Sequence, residues 1–204
     1  SEHPGLLPED VRSELSSLKD RVQPFNKRGV FVFARAAGLM GAESVPDRPQ
    51  LRAIHECLGS ASIKQVHRVT GSDGQEYALK VERPTLQRYL QEDFRVFGAV
   101  LEALRYEQFE IPSWLEGEVK RLVEAEVDFS REASASRTMS KNIQARRPMF
   151  SDGTSMFPVR IPSIVVEQKR DIANRQPVQV ILEELVHGLT IAEIERWQAL
   201  FSLT

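Results

Sequence analysis

The sequence predicts an α+β fold in which a five-stranded antiparallel sheet packs on helices. Three observations carry that expectation. Apolar patterns run in the order helices, three strands, helices, two strands, helix. Ser72-Asp73-Gly74 stands between two short strand patterns, where glycine supplies the positive φ of a hairpin turn. Spacings of three and four, rather than alternation, fill the interval between the third and fourth strands.

The first element is expected to be a helix. Pro8, Glu9 and Asp10 suit a first turn, since acids there oppose the positive end of the helix dipole. Val11, Leu15, Leu18 and Val22 make one apolar stripe, and Pro24 ends it. Residues 28–41 are apolar with few breaks and predict a second, largely buried helix; 41–49, with Pro46 and Pro49, reads as a connection. A strand near 52–57 precedes a hairpin built from Ile63, Val66 and Val69 and from 77–81. Helical patterning covers 85–106, Pro112 interrupts it, and a longer helix is expected over 113–142. Residues 145–158, with two arginines, Pro148, Asp152, Gly153 and Pro158, read as an exposed loop. Strands over 159–168 and 177–186 and a last helix over 190–201 complete the chain.

Composition removes several function classes. The 204 residues carry 27 basic and 29 acidic side chains, a net charge of −2. With a pI near 6.1 they offer no basic field for nucleic acid, and no nucleic-acid partner is expected. One cysteine, Cys57, makes neither an internal disulfide nor a cysteine metal site. His3, His55, His67 and His187 lack ligand spacing, so metal ligands stay unassigned. The longest apolar stretch, 30–42, contains Arg35 and is too short to span a bilayer. Because the chain opens at Ser1, a removed targeting segment or an upstream boundary is expected.

Three features could carry chemistry. In the long central helix Leu115, Val119, Leu122, Phe129 and Ala133 share one face, and Glu126 falls within it. Either the stripe ends at solvent and leaves Glu126 free, or its carboxylate edges a cavity, since burying it alone is costly. Asp128 and Glu132, four apart on another face, ordinarily make a solvated surface. Lys80, in Tyr77-Ala78-Leu79-Lys80-Val81, points either to water or to phosphates beneath a strand ceiling, with Ala78 leaving room for a flat base. Leu58-Gly59-Ser60-Ala61-Ser62 is a run of small residues whose backbone N–H groups could approach an anion.

Taken together, residues 59–68, Asp73-Gly74 and the run 77–84 (Tyr-Ala-Leu-Lys-Val-Glu-Arg-Pro) resemble the UbiB-type atypical kinase-like family associated with coenzyme Q biosynthesis. That family has an alanine-rich loop, then S-I-x-Q-V-H, and a V-A-V-K strand ending in R-P. Glu126-Val127-Asp128-Phe129-Ser130-Arg131-Glu132-Ala133 resembles its E-x-D helix segment. The resemblance covers roughly 51–188 and implies a protein-kinase-like small lobe. It implies ATP and Mg2+ as cofactors, with Lys80 on the α/β-phosphates and paired with Glu132. It further implies Gly59, Ser60, Ala61 and Ser62 covering the phosphates, Ala78 beside the base, and Glu126 and Asp128 near nucleotide and metal. Residues 180–188 resemble the fifth strand and hinge, so that backbone around Glu184 and Leu185 would meet an adenine edge.

Upstream, Phe25-Asn26-Lys27-Arg28-Gly29-Val30 resembles the family's F-I-K-x-G-Q segment, which folds over the active site, with Val30 in place of the glutamine. Lys27 and Gly29 carry that match. No segment matches the large lobe's catalytic loop or D-F-G-like motif. The expected organisation is therefore a helical extension over 1–50, a small lobe with a helical insert over 51–188, and the start of a helix after the hinge over 189–204. By itself this stretch is not expected to complete phosphoryl transfer. Two function classes follow. One is the small lobe of an ATP-using kinase or ATPase tied to quinone metabolism. The other is a pseudokinase-like, non-catalytic scaffold or accessory subunit of a mitochondrial or plastid membrane assembly. Both place the protein at the periphery of the mitochondrial inner membrane, with the plastid as the alternative, and allow quinone-lipid contact. An uncovered half of a kinase fold exposes apolar surface, so a protein partner or self-association is expected.

Overall fold

A computed structural model describes residues 23–41, 48–84, 86–146, 149–151, 156–170 and 178–188. The expected first helix, the last helix and part of the connection at 41–49 lie outside these. The chain forms α1 (Lys27–Ala36), β1 (Leu51–Ser60), β2 (Lys64–Gly71) and β3 (Glu76–Glu82). It continues through α2 (Leu86–Tyr106), α3 (Leu115–Glu126), α4 (Phe129–Arg146), β4 (Met149–Ser151) and β5 (Met156–Pro158). Strands β6 (Ile164–Arg170) and β7 (Val178–Glu184) follow. The five-stranded sheet runs β1-β2-β3-β7-β6, every neighbouring pair antiparallel, as the sequence predicts.

The hairpin turn is fixed by its own chemistry. Gly74 takes φ +82, and Asp73 accepts the Gln75 backbone N–H at 2.9 Å and the Tyr77 hydroxyl at 2.7 Å. Burial of Tyr77, assisted by that carboxylate, pushes its hydroxyl pKa up to about 12.

Strand alternation gives the sheet two different faces. Gln65, His67 and Val69 of β2 share a face with Tyr77, Leu79 and Val81 of β3 and with Val180 and Leu182 of β7, and all are buried. Helix α1 closes that face with Val30 and Ala34, so one apolar core lies between helix and sheet. Asn26 caps α1 by accepting the Arg28 N–H at 2.9 Å. The entry to α1 is held by the buried Gln65. Its Oε1 accepts the Phe25 N–H at 2.9 Å, and its Nε2 donates to the Phe25 carbonyl at 3.4 Å and to His67 Nε2 at 2.6 Å. A ring nitrogen that accepts there belongs to a neutral imidazole, in keeping with burial holding His67 below its ordinary pKa. Gly29 makes a close approach, since a Cβ there would stand 3.0 Å from the Phe25 ring and the ring would have to give way.

The opposite face carries Lys64 and Val66, Ala78, Lys80 and Glu82, and Gln179, Ile181 and Glu183. Helix α4 packs on it through Phe129 and Ala133 against Ile181. Buried Gln179 pins the start of this helix. Its Oε1 accepts the Phe129 N–H at 3.1 Å, and its Nε2 donates to the Val127 carbonyl at 3.0 Å and to Glu82 Oε2 at 3.2 Å. Backbone groups that a helix junction would leave orphaned are thereby satisfied.

Four sequence expectations are corrected. The helix over 113–142 is two helices broken at Val127-Asp128, because Asp128 caps a new helix: its Oδ1 accepts the Ser130 N–H at 3.0 Å. The break shifts the helical phase, so Leu122 is exposed while Phe129 and Ala133 are buried. The stretch 145–158 contains the small β4–β5 ladder rather than a loop throughout. Strand β1 extends to Ser60, beyond the expected 52–57, because Gly59 and Ser60 still pair with Val66 and Gln65. The fourth strand starts at Ile164 rather than 159.

Gln179→Ala would strand the Phe129 N–H and the Val127 carbonyl in a dry site. Urea unfolding of this variant is expected to show a loss of about 1–3 kcal/mol.

Candidate functional site

Strand β3 lies between β2 and β7, so a side chain at its middle is shielded by neighbours on both sides. Lys80 sits there, opposite Val66 on one strand and Ile181 on the other. Its side chain is only 18% exposed. The reading in which it points to bulk water therefore fails. Its Nζ donates to Glu132 Oε1 at 2.9 Å and lies 2.9 Å from Glu183 Oε1. Glu132 in turn accepts from Lys64 Nζ at 2.6 Å through Oε2. Two ammonium groups and two carboxylates thus alternate across the sheet face: Lys64, Glu132, Lys80, Glu183. Burial pulls the Lys80 pKa down, but its bonds to Glu183 and Glu132 outweigh that and hold it above the ordinary value. For Glu132, burial pushes up while Lys64 and Lys80 pull down more strongly, leaving its carboxyl below the usual range.

Helix α4 sets this geometry. With Phe129 anchored against Ile181 and its N–H on Gln179, Glu132 stands near the end of the first turn and faces the sheet. The pairing of Lys80 with Glu132 that the resemblance implies is present. Ala78 lies two residues before Lys80 on the same face, its Cα opposite Glu183. It is a small side chain beside the charged row.

Residues 18–201 match the ABC1 atypical kinase-like domain. The chain belongs to that family. It is 31% identical over 148 residues to a probable protein kinase UbiB of Azotobacter vinelandii, covering 68% of this chain and 26% of that protein. It is 28% identical over 204 residues to the corresponding protein of Marinobacter nauticus, covering 93% and 31%. The chain thus spans about a quarter to a third of the length of these relatives. A solved structure from Mycobacterium tuberculosis, the complex of Rv3197 with erythromycin, matches with a TM-score of 0.57 at 23% identity. It covers 92% of this chain and 42% of that one, and it supports the kinase-like fold. The expected UbiB-type small-lobe architecture is borne out.

Within this ABC1 lobe, not every residue singled out by sequence comes to the charged row. Glu126 ends α3 exposed to solvent, because the helix break removes it from any buried stripe. Asp128 serves as the cap of α4, its Oδ1 also accepting the Ser130 hydroxyl at 2.6 Å. Gly59 and Ser60 belong to β1, and only Ala61 and Ser62 lie in the connection to β2. Among the described residues a Cβ at Gly59 would meet no heavy atom within 4 Å. Lys27 and Gly29 lie on α1, across the sheet from Lys80. The apolar stripe of α1 matches the apolar sheet face there. Glu184 ends β7; its N–H donates to the Ser163 carbonyl at 2.9 Å and its carboxylate pairs with Arg160. Leu185 follows directly outside the strand.

Three residues were missed as site components. Lys64 and Glu183 complete the charged row, and the period-2 pattern around Lys80 could have placed both on its face. Arg83, seen in the sequence only as part of an R-P ending, ties the connection down. Its Nε donates to the Ala61 carbonyl at 2.6 Å and its guanidinium to Ser60 Oγ at 2.8 Å and the Gln23 carbonyl at 3.0 Å. Among the described residues no group of three or more His, Cys, Asp or Glu is placed to hold a metal ion.

The depressed Glu132 pKa stabilises the fold above about pH 4.5, the unfolded value, and that stabilisation is lost as pH falls through the folded value. Glu132→Gln removes this dependence. Thermal melts between about pH 3 and 7 are expected to show a steeper acid loss in the parent than in the variant.

Proposed function

We propose that this chain is the nucleotide-binding small lobe of a UbiB-like atypical kinase or ATPase linked to quinone metabolism. The single observation supporting it is Lys80, an ammonium shielded at mid-sheet and bonded to the carboxylate of a docked helix. A lysine–glutamate pair in that setting is the arrangement that positions nucleotide phosphates in kinases. ATP fits the residues on this face: Lys80 would meet the α/β-phosphates, Glu132 would orient it, and Ala78 would leave room for the base. The turn at Ala61-Ser62, held by Arg83, would approach the phosphates with Gly59 and Ser60 beside it. Backbone around Glu184 and Leu185 would border the adenine, although the Glu184 N–H is already engaged. Mg2+ would enter with the phosphates and supply charge neutralisation there; Glu126 and Asp128 enter this reading only through the family resemblance.

The quinone link, peripheral placement at the mitochondrial inner membrane or in a plastid, and contact with a protein partner or a quinone lipid belong to the same reading through the resemblance. Among the described residues no helix is long and apolar enough to cross a membrane. A second reading is a pseudokinase-like scaffold within a membrane assembly. It is favoured by Val30, which stands where the family has glutamine and is wholly buried in the α1 core.

Nucleotide binding separates the two. At about ten times Kd, ATP with magnesium stabilises by about 1.4 kcal/mol. In thermal melts of a chain this size the expected rise in Tm is about 3–5 °C. Lys80→Ala should abolish the rise. A parent chain that shows no shift at millimolar ATP would favour the scaffold.

A further inference from the structure

Lys80 has three N–H donors, and two of them are committed to carboxylates on different elements. The two carboxylates are not equivalent. Glu132 is shared with Lys64, so its charge is divided between two ammonium groups. Glu183 pairs with Lys80 and, at 13% exposure, is more buried than Lys64, Lys80 or Glu132. It also sits on a strand, with its Cα fixed opposite Ala78 and its neighbours hydrogen-bonded on both sides by β3 and β6. Glu132 reaches Lys80 from the first turn of α4, whereas Glu183 reaches it from a strand paired on both sides. The side chain of Ala78 is too small to stand between Glu183 and the space beside Lys80. The row of two ammonium groups and two carboxylates therefore sums to zero, whereas Lys64, Lys80 and Glu132 alone would leave one positive charge for an incoming polyphosphate.

We infer that Glu183 is the resident counter-ion of Lys80, occupying the position a nucleotide phosphate would take and setting the affinity of the site for polyphosphate nucleotides. This rests on the nucleotide-binding reading above. A nucleotide gains Lys80 only by displacing a shielded carboxylate, so the parent chain binds it more weakly than a chain without that charge. Removing the charge on Glu183 frees one donor of Lys80 and restores a net positive row, and it leaves the Glu132 pair in place.

The test is a calorimetric titration of ATP with magnesium into the parent chain, Glu183→Gln, Glu183→Met, Lys80→Ala and the double variant Glu183→Gln/Lys80→Ala. Beside it, an amine-acetylating reagent reads Lys80 labelling by mass spectrometry without any nucleotide. Circular dichroism confirms that each variant is folded, and the two Glu183 variants guard against one failing to fold. The expected result is a Kd lower by about fivefold or more in both Glu183 variants, reversed in the double variant, with faster Lys80 labelling. Unchanged or weaker binding in the Glu183 variants, while Lys80→Ala still abolishes it, overturns the inference and leaves the nucleotide reading standing. If no chain binds nucleotide, that reading falls and takes the affinity role of Glu183 with it. Unchanged Lys80 labelling would then also remove the counter-ion role.

Discussion

A lysine ammonium cannot lose most of its water at the middle of a sheet unless opposite charge is brought to it, since an unpaired buried charge costs several kcal/mol or more. That requirement organises the lobe. One counter-charge, Glu183, comes from the neighbouring strand, which obliges β7 to return from more than 90 residues away and lie against β3. The other, Glu132, comes from α4, which obliges the helical insert to end on the sheet with its first turn turned inward. The crossover in the strand order β1-β2-β3-β7-β6 and the docking of α4 are thus two halves of one electrostatic condition.

The sheet meets that condition by keeping its faces chemically distinct. Period-2 alternation sends Val69, Leu79, Val81 and Leu182 to a dry core under α1 and sends the charges to the other side. Of the two polar residues on the dry face, Gln65 gives its hydrogen bonds to the entry of α1 and to His67 Nε2, while His67 Nδ1 is buried with no partner among the described residues. The N-terminal segment is also tied to the β1–β2 connection by Arg83. This one guanidinium grips the connection between β1 and β2, reaches the Gln23 carbonyl and lies 6.0 Å from the Phe25 ring centroid.

Much of this was legible in the residues. The five strands and the hairpin at Asp73-Gly74 follow from alternation and turn chemistry, which act over a few residues, and the antiparallel sheet follows from the order of the elements. The pairing of Lys80 with Glu132, 52 positions apart, was legible only through motif resemblance, because no local pattern encodes a contact of that range. Of the two readings the sequence left open for Glu126, the solvent-exposed one holds. Projecting 113–142 at 100° per residue assumes an unbroken phase, and the Asp128 cap resets it. The side of the sheet taken by Lys27 and Gly29 was invisible as well, because the apolar stripe of α1 states that it must be buried but not against which face.

The cap that misleads the helical projection also explains the spacing of the acids. With Asp128 outside the first turn of α4 and Phe129 anchored on Gln179 and Ile181, the direction of the helix and its rotation about its axis are both set within two residues. Glu132, four residues beyond the cap, then has no freedom in which face it presents, and the face is that of Lys80 and Lys64. Asp128 acts on the charged row through this phase. A carboxylate at 128 and a carboxylate at 132 are thus different devices at a fixed distance: one starts the helix, the other is delivered by it to the lysine that the fold has shielded from water.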